Sequence, residues 1–199
     1  MNVAPNPPVI AWGVIALCLV ALWTAFRTWQ WYRRWSARKA LIAAIAETGT
    51  DYISDVLVPD GMGAYFHIDF LLLTPRCVLV IDLRDVPGNV FGGDQMTEWT
   101  VMDPPDRTTF TNPQNALYDR IAAVKAIAGE IPVEGRVVFT QRARFPKGLP
   151  KWTTMIDSLQ SEFPAVERVA LAGNAPPGFF DAWARIKSAV TPSPLNQQA

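Results

Sequence analysis

The sequence contains few cysteines and few charges, and its first 46 positions hold no acidic residue. Only two cysteines occur in 199 residues, which excludes a disulfide-stabilised scaffold. Charged residues make up 18% of the chain and hydrophobic residues 50%, a composition that excludes a disordered protein. Because 18 basic residues balance 18 acidic ones, the chain is not a generally basic nucleic-acid-binding protein. Its length suits one ordinary domain with an appendage.

Three common catalytic patterns are also missing. His67 is the only histidine, so the chain lacks both a zinc-ligand pattern and a histidine paired with a nucleophile motif. The glycines at 88, 92 and 93 do not match a phosphate-binding loop, which needs a lysine followed by serine or threonine. We expect these glycines to serve turns.

A long apolar segment lies near the N-terminus. Residues 9–26 carry no charge and, as a helix, would extend about 27 Å, close to the hydrocarbon thickness of a bilayer. Aromatic residues crowd the end of this segment: Trp23, Trp29, Trp31, Tyr32 and Trp35. Five cations follow on the same side: Arg27, Arg33, Arg34, Arg38 and Lys39. This order predicts a transmembrane helix at 9–26 and a basic, aromatic juxtamembrane helix at 27–48; the alternative is a buried core helix.

The charge pattern also predicts an orientation. A cleaved signal peptide carries its cations before the apolar run, whereas here they follow it. The positive-inside rule therefore places residues 1–8 outside and the rest of the chain, from 27 on, in the cytoplasm of a single-pass protein of the cell (inner) membrane. The lipid bilayer is then its first partner. Cys18 in the span and Cys77 beyond it should not pair, in agreement with a reducing compartment.

The remainder reads as a mixed α/β domain at 49–190, followed by a disordered tail at 191–199. Its hydrophobic patterns predict strands at 52–58, 67–74, 77–83, 99–102, 136–140 and 166–171. Helices are predicted at 115–128, 152–163 and 179–190. The two apolar runs at 67–74 and 77–83 are separated by only two residues, so we expect a tight hairpin of buried strands.

Asp69 and Asp82 lie in those two apolar strands. A carboxylate in such a strand is costly unless it is paired or binds a cation. The hairpin could bring both carboxylates together with Arg84 into a site for Mg²⁺ or Mn²⁺, which favour oxygen ligands and can activate water. A structural ion pair between Asp69 and Arg84 explains the same residues.

Several motifs in this region occur in the order typical of one family. They are His67-Ile68-Asp69, the strand-turn-strand at 71–82, Gly88-Asn89-Val90-Phe91-Gly92, Trp99, and Phe110-Thr111-Asn112-Pro113. This ordered set resembles the nuclease-related domain (NERD) family, and the resemblance covers about 75 residues from Asp55 to Ala128. It implies a restriction-endonuclease-like fold of the PD-(D/E)xK type, a mixed β-sheet flanked by helices.

The resemblance implies roles for individual residues. Asp69, Asp82 and Arg84 would be catalytic, and the metal would be held by Asp69, Asp82 and the Leu83 carbonyl. Auxiliary roles would fall to His67, Asn112 and Gln114; a structural role for His67 is equally open. The chain departs from the family pattern at Arg84, where the family has lysine, and arginine cannot act as a base. Glu47 is the only nearby counterpart of the acid expected on the preceding helix.

A local group of cations could bind a polyanion. Its members are Arg136, Arg142, Arg144, Lys147 and Lys151. They could contact nucleic acid or anionic lipid, or form a solvated loop. Residues 41–199 hold 13 basic and 18 acidic groups, and this balance argues against a broad DNA-binding surface. Two functions remain open: a membrane-anchored nuclease-related protein that hydrolyses nucleic acid with a metal or binds it, or a catalytically inactive scaffold at the membrane whose protein partner is unknown.

Overall fold

The computed structural model describes residues 7–164 and 178–194, and it divides the chain into two units, Met1–Ala43 and Ala44–Ala199. The strand predicted at 166–171 lies outside the described residues, as do positions 1–6 and 195–199. Each unit is described separately below.

The first unit consists of helix α1 (Pro7–Ala46), which runs on into the second unit for its last three residues. The helices predicted at 9–26 and 27–48 are therefore one continuous helix. Large apolar side chains along it are exposed, and the helix is long and apolar enough to cross a membrane, a property that an N-terminal signal sequence shares. Two cation–π pairs follow its i, i+4 spacing, with Arg27 over Trp23 at 5.7 Å and Arg33 over Trp29 at 4.9 Å.

The second unit is built on a six-stranded mixed sheet. In chain order its strands are β1 (Asp51–Pro59), β2 (Tyr65–Leu73), β3 (Val78–Arg84), β7 (Val133–Phe139), β9 (Thr153–Met155) and β10 (Thr191–Pro192). They are arranged β10-β1-β2-β3-β7-β9. Strands β1, β2 and β3 pair antiparallel, which confirms the predicted hairpin, while β7 joins β3 in parallel and β9 joins β7 in parallel.

A second sheet has four strands, in the order β6-β5-β4-β8. These are β4 (Gly88–Phe91), β5 (Glu98–Asp103), β6 (Asp106–Thr111) and β8 (Ala143–Arg144). The glycine-rich stretch after β3 was expected only to break the chain, yet Gly88 adopts a φ of 95° and begins β4. Trp99 of β5 is fully buried among Phe110, Phe139 and Phe145. This aromatic cluster joins the two sheets.

Among the residues that the structure describes, the second unit also contains three helices: α2 (Pro113–Ala128), α3 (Ile156–Glu162) and α4 (Phe179–Ala189). Helix α2 begins two residues before its predicted start and packs Leu117 and Ile121 against Gly135 of β7. The mixed α/β fold flanked by helices is thereby confirmed, as is a long apolar helix at the N-terminus.

Two predicted segments differ from the structure. Helix α3 begins four residues after its predicted start, because the β-branched Thr153 and Thr154 instead extend the sheet beside β7. The tail was expected to be disordered from 191, yet β10 pairs with Val56 and Leu57 of β1, and the Ser193 amide donates to the Asp55 carbonyl at 2.9 Å. Ser193 is buried.

The packing of Trp99 predicts the effect of adding one methyl group nearby. A Cβ at Gly92 would overlap the buried Trp99 ring, whereas a Cβ at Gly93 would meet only the flexible Met96 side chain at 3.4 Å. We expect Gly92→Ala to lower the free energy of unfolding by about 1–3 kcal/mol, since overpacking forces the ring to move. Thermal unfolding of the full chain in detergent measures this. Gly93→Ala is the matched control, and equal melting temperatures of the two variants would contradict the prediction.

Candidate functional site

Three aspartates occupy one cross-strand position of the main sheet. In β1 and β2, the pairs Ser54–Phe70 and Val56–Ile68 flank Asp55 and Asp69. The β2–β3 pairing begins at Phe70–Ile81, so that Asp69 and Asp82 are the next residues in register. Residues directly opposite each other point to the same face of a sheet. The predicted association of Asp69 with Asp82 therefore rests on strand register, and Asp55 is a third member that sequence reasoning missed.

The strands separate at this position. Regular pairing of β2 and β3 covers Phe70–Leu73 and ends before Asp69. There the Asp69 side chain replaces the backbone hydrogen bonding between the two strands, because its Oδ2 accepts a hydrogen bond from the Leu83 amide at 2.8 Å. Leu83 was predicted to offer a carbonyl to a metal; the contact seen is this amide bond. The Asp69 side chain remains one-third exposed at the opening.

Asp82 is held by two arginines. Its side chain is only 2% exposed. Arg84 donates from Nη2 to Oδ2 at 2.9 Å, and its Nε lies 2.7 Å from Oδ1 as an ion pair whose angle falls outside hydrogen-bond geometry. Arg120 donates from Nη1 to Oδ2 at 2.6 Å. Both oxygens of this buried carboxylate thus face guanidinium groups, as a buried charge requires. The structural pairing expected between Arg84 and Asp69 is made with Asp82 instead.

Arg120 was not predicted as a site residue. It lies on α2, where it also donates from Nε to the His67 carbonyl at 2.7 Å. The sequence does hold a signal for it, since Leu117, Arg120 and Val124 share the i, i+3, i+7 spacing of the buried stripe. A charged residue on such a stripe needs a partner, and Asp82 is that partner.

His67 lies between Asp55 and Asp69. Its Nε2 is 2.7 Å from Asp55 Oδ1, and its Nδ1 is 3.7 Å from Asp69 Oδ1. Asp55 has a φ of 55°, a left-handed conformation that is unusual within a strand and tends to occur at functional sites. The histidine is one-third exposed, and these contacts place it in the same group as the three aspartates.

Burial raises the pKa of the Asp69 carboxyl above its ordinary value of 3.8. The Leu83 amide opposes this shift by donating to the carboxylate, and the negative charge of Asp82 reinforces it. The smaller effects of His67 and Arg120 favour ionisation.

Asn112 and Gln114 lie at the start of α2. Asn112 Oδ1 accepts from the Gln114 amide at 2.9 Å and caps the helix, while its Nδ2 donates to the Met96 carbonyl at 2.8 Å. Gln114 Nε2 donates to Asp94 at 3.0 Å and to the Lys151 carbonyl at 2.5 Å. Both side chains therefore tie loops to the helix start. The auxiliary role expected for them beside the aspartates remains a prediction.

The five predicted cations do not form one surface. Arg136 is mostly buried between Glu134 and Glu162, 3.4 and 2.8 Å away, and lies over the Trp152 and Phe163 rings. Arg142 pairs with Asp85 at 2.8 Å. The three remaining side chains are exposed: Arg144, Lys147 and Lys151. Only these three, together with Arg142, have the exposure that binding a polyanion requires.

The residues of this site do not fit a divalent cation as they are arranged. Within 7–164 and 178–194, no three His, Cys, Asp or Glu side chains are placed to hold a metal ion. Asp82 is occupied by Arg84 and Arg120, whose positive charges offset two of the three aspartates. Glu47, the counterpart expected on the preceding helix, accepts a hydrogen bond from Gln160 of α3. Metal ligation by Asp69, Asp82 and Leu83 remains a prediction from family resemblance.

Comparison with known proteins identifies the domain. The family model of the nuclease-related domain matches residues 33–140, which is more than half of the chain. Nuclease-like domains of this family are generally dependent on a divalent metal. Comparisons with curated proteins and with solved structures give no match. The matched segment contains all three aspartates, His67, Arg84 and Arg120.

The pairing of Arg120 with Asp82 predicts a large loss of stability when it is broken. Arg120→Met leaves a buried carboxylate with one cation, and we expect a cost of about 3 kcal/mol. Such a cost corresponds to about 6 °C or more in melting temperature for a chain of this size. Arg142→Met is the matched control, because the Arg142–Asp85 pair is exposed and should contribute under about 1 kcal/mol. Similar melting temperatures for both variants would refute a special role of Arg120.

The raised pKa of Asp69 predicts a pH-dependent effect of Asp69→Asn. Asparagine can still accept from the Leu83 amide but has no charge to desolvate. The folded wild type binds the Asp69 proton more tightly than the unfolded chain, so this residue destabilises the fold as pH rises from 3.8 through the raised pKa. The variant should therefore melt higher than wild type at pH 7.5, and the difference should vanish towards pH 4. A difference independent of pH would contradict this.

Proposed function

The chain belongs to the nuclease-related domain family, and from this premise we propose that it is a membrane-anchored protein that binds nucleic acid without metal-dependent hydrolysis. One observation supports this above all others: both oxygens of Asp82 face the guanidinium groups of Arg84 and Arg120. The carboxylate that the family resemblance assigns to the metal is already neutralised by cations of the chain itself.

The argument against metal-dependent hydrolysis is electrostatic. A divalent cation needs several free oxygen ligands and a site of net negative charge. Here the metal cation would have to displace the Arg84 and Arg120 guanidinium groups from Asp82, a carboxylate that is only 2% exposed. The displaced guanidinium groups would then lie next to the positively charged metal. Arg84 also stands where the family has a lysine, and a guanidinium does not give up its proton to act as a base. The arrangement therefore favours a site that works without a metal and without a proton acceptor at Arg84.

The same arginines suit phosphate binding. A guanidinium offers a planar set of donors that matches phosphate oxygens. Arg84 is one-third exposed, so part of it can be reached from solvent. Arg142, Arg144, Lys147 and Lys151 add exposed cations on the segment after β7. Because residues 41–199 carry a net charge of −5, binding would be confined to this local surface and would weaken with salt.

The location follows from helix α1. We propose that residues 9–26 span the cell (inner) membrane, with 1–8 outside and the domain at 49–190 in the cytoplasm. The five cations after the apolar run support this orientation by the positive-inside rule. Residues 27–48, in which Arg33 lies over Trp29, would meet the headgroup region.

A second candidate is a metal-dependent nuclease that uses Mg²⁺ or Mn²⁺ at Asp69, Asp82 and the Leu83 carbonyl. The adjacent register of Asp69 and Asp82, at the point where β2 and β3 separate, favours it. It requires that Arg84 and Arg120 leave Asp82 when the metal arrives. A third candidate is the inactive scaffold with a protein partner. Like the nucleic-acid-binding protein proposed first, it would not hydrolyse nucleic acid, but unlike that protein it would not bind nucleic acid either.

These functions are separable with the full chain in neutral phosphatidylcholine nanodiscs. We expect single-stranded oligonucleotides to bind with an affinity that EDTA does not change, and to remain uncleaved with Mg²⁺ or Mn²⁺. Calorimetry with either metal should show no binding at millimolar concentration. Asp82→Asn is the control: cleavage by wild type that this variant loses would establish the nuclease. Absence of both cleavage and binding would leave the scaffold.

A further inference from the structure

An exposed pair of aromatic rings lies outside the aspartate site. Tyr118 of α2 is 51% exposed, and Trp152, immediately before β9, is 38% exposed. Their ring centroids are 6.0 Å apart with planes at 73°. Because nearly perpendicular rings each cover at most one face of the other, this pair leaves ring surface available to a ligand. The core does not account for these two side chains, since both are open to solvent.

Trp152 is held in an unfavourable backbone conformation. Its φ of 59° lies in the left-handed region, which a bulky side chain rarely adopts. Hydrogen bonds fix the chain on both sides: the Trp152 carbonyl accepts from the Val137 amide at 2.7 Å, and the Lys151 amide donates to Asp94 at 2.8 Å. Gln114 Nε2 donates to the Lys151 carbonyl. The surroundings thus impose the conformation that presents Trp152 at the surface.

A cation accompanies the rings. The side chain of Lys151 is exposed next to Trp152. The backbone of Lys151 is held by hydrogen bonds to Gln114 and Asp94, so the position of its Cα is fixed. Arg136 lies 5.6 Å from the centre of the Trp152 ring and is itself anchored by Glu162. Arg136 steadies the ring, whereas the Lys151 ammonium is available to a phosphate.

The rings lie close to the aspartate site. Tyr118 is two residues before Arg120 on α2, which contacts Asp82. Across the sheet, Asp82 pairs with Val137 and Val137 pairs with Thr153, so Trp152 immediately precedes the strand that lies two positions from β3. Two strand spacings correspond to about 10 Å. The rings and the aspartate site are therefore carried by the same helix and by strands two positions apart in one sheet.

We propose that Tyr118, Trp152 and Lys151 form a stacking site for a base of single-stranded nucleic acid, with the adjacent phosphate on Lys151. Every base has a π-face that stacks on exposed aromatic rings, and this recognition tolerates any sequence. A duplex does not offer its bases in this way, so the site selects single strands. The inference rests on the proposed nucleic-acid binding and names the form of nucleic acid and the residues that recognise it.

The experiment measures fluorescence anisotropy of labelled single-stranded DNA and RNA, and of matched duplexes, with the full chain in neutral nanodiscs containing EDTA. Two variants remove a ring: Tyr118→Ala, and Trp152→Asn, in which asparagine tolerates the left-handed backbone. We expect each to weaken single-strand binding by about tenfold, the scale of losing one stacked base. Trp152→Phe keeps a ring and should retain most of the affinity. Tyr65→Ala, which removes an exposed ring from the start of β2, is the control and should change nothing.

Each result decides the proposal. Tighter binding of single strands than of duplexes, lost in Trp152→Asn and kept in Trp152→Phe, supports the stacking site. Binding that neither ring variant weakens overturns the stacking site while leaving the proposed function in place. Wild type that binds no nucleic acid overturns both. Cleavage lost in Asp82→Asn overturns only the proposed lack of hydrolysis, because the ring variants still report on stacking. Thermal unfolding of each variant confirms that it is folded.

Discussion

The burial of the Asp82 charge is the constraint on which the rest of the site depends. A carboxylate that is 2% exposed is tolerated only with compensating cations, and Arg84 and Arg120 supply them from β3 and α2. Arg120 also bonds the His67 carbonyl of β2. One ion-pair network therefore connects two neighbouring strands with the helix that covers them. The orientation of α2 on the sheet follows from it, together with the packing of Leu117 and Ile121 over Gly135.

Helix α2 connects this ion-pair network with the exposed rings of Tyr118 and Trp152. Its first turn is fixed by the Asn112 cap and by Gln114, which reaches Asp94 and the Lys151 carbonyl. Its middle presents Tyr118 to Trp152 and Arg120 to Asp82. Gln114 thus ties the loop that carries Lys151 and Trp152 to the start of α2, which Asn112 caps.

Arg84 stands where the family resemblance implies a lysine, and here it is ion-paired with Asp82. The strand pairing, the separation of β2 from β3 and the Asp69–Leu83 bond suit a nuclease-type fold. A second guanidinium from Arg120 then balances the charge that a metal would otherwise balance. We infer that such a site keeps the affinity for phosphate and gives up the activation of water.

Elements with a local hydrophobic signal could be predicted from the sequence. Helix α1, the β2–β3 hairpin and α2 follow from uninterrupted hydrophobic patterns, and register within that hairpin brings Asp69 next to Asp82. Which charges meet depends instead on contacts between distant segments. Asp55, Arg120 and Trp152 join their groups through β1 pairing, helix packing and the parallel β7–β9 contact, which link residues far apart in the chain. Arg136 was grouped with the surface cations because charge is visible in a sequence and burial is not. It lies instead between two glutamates and two aromatic rings, where the sheet places it.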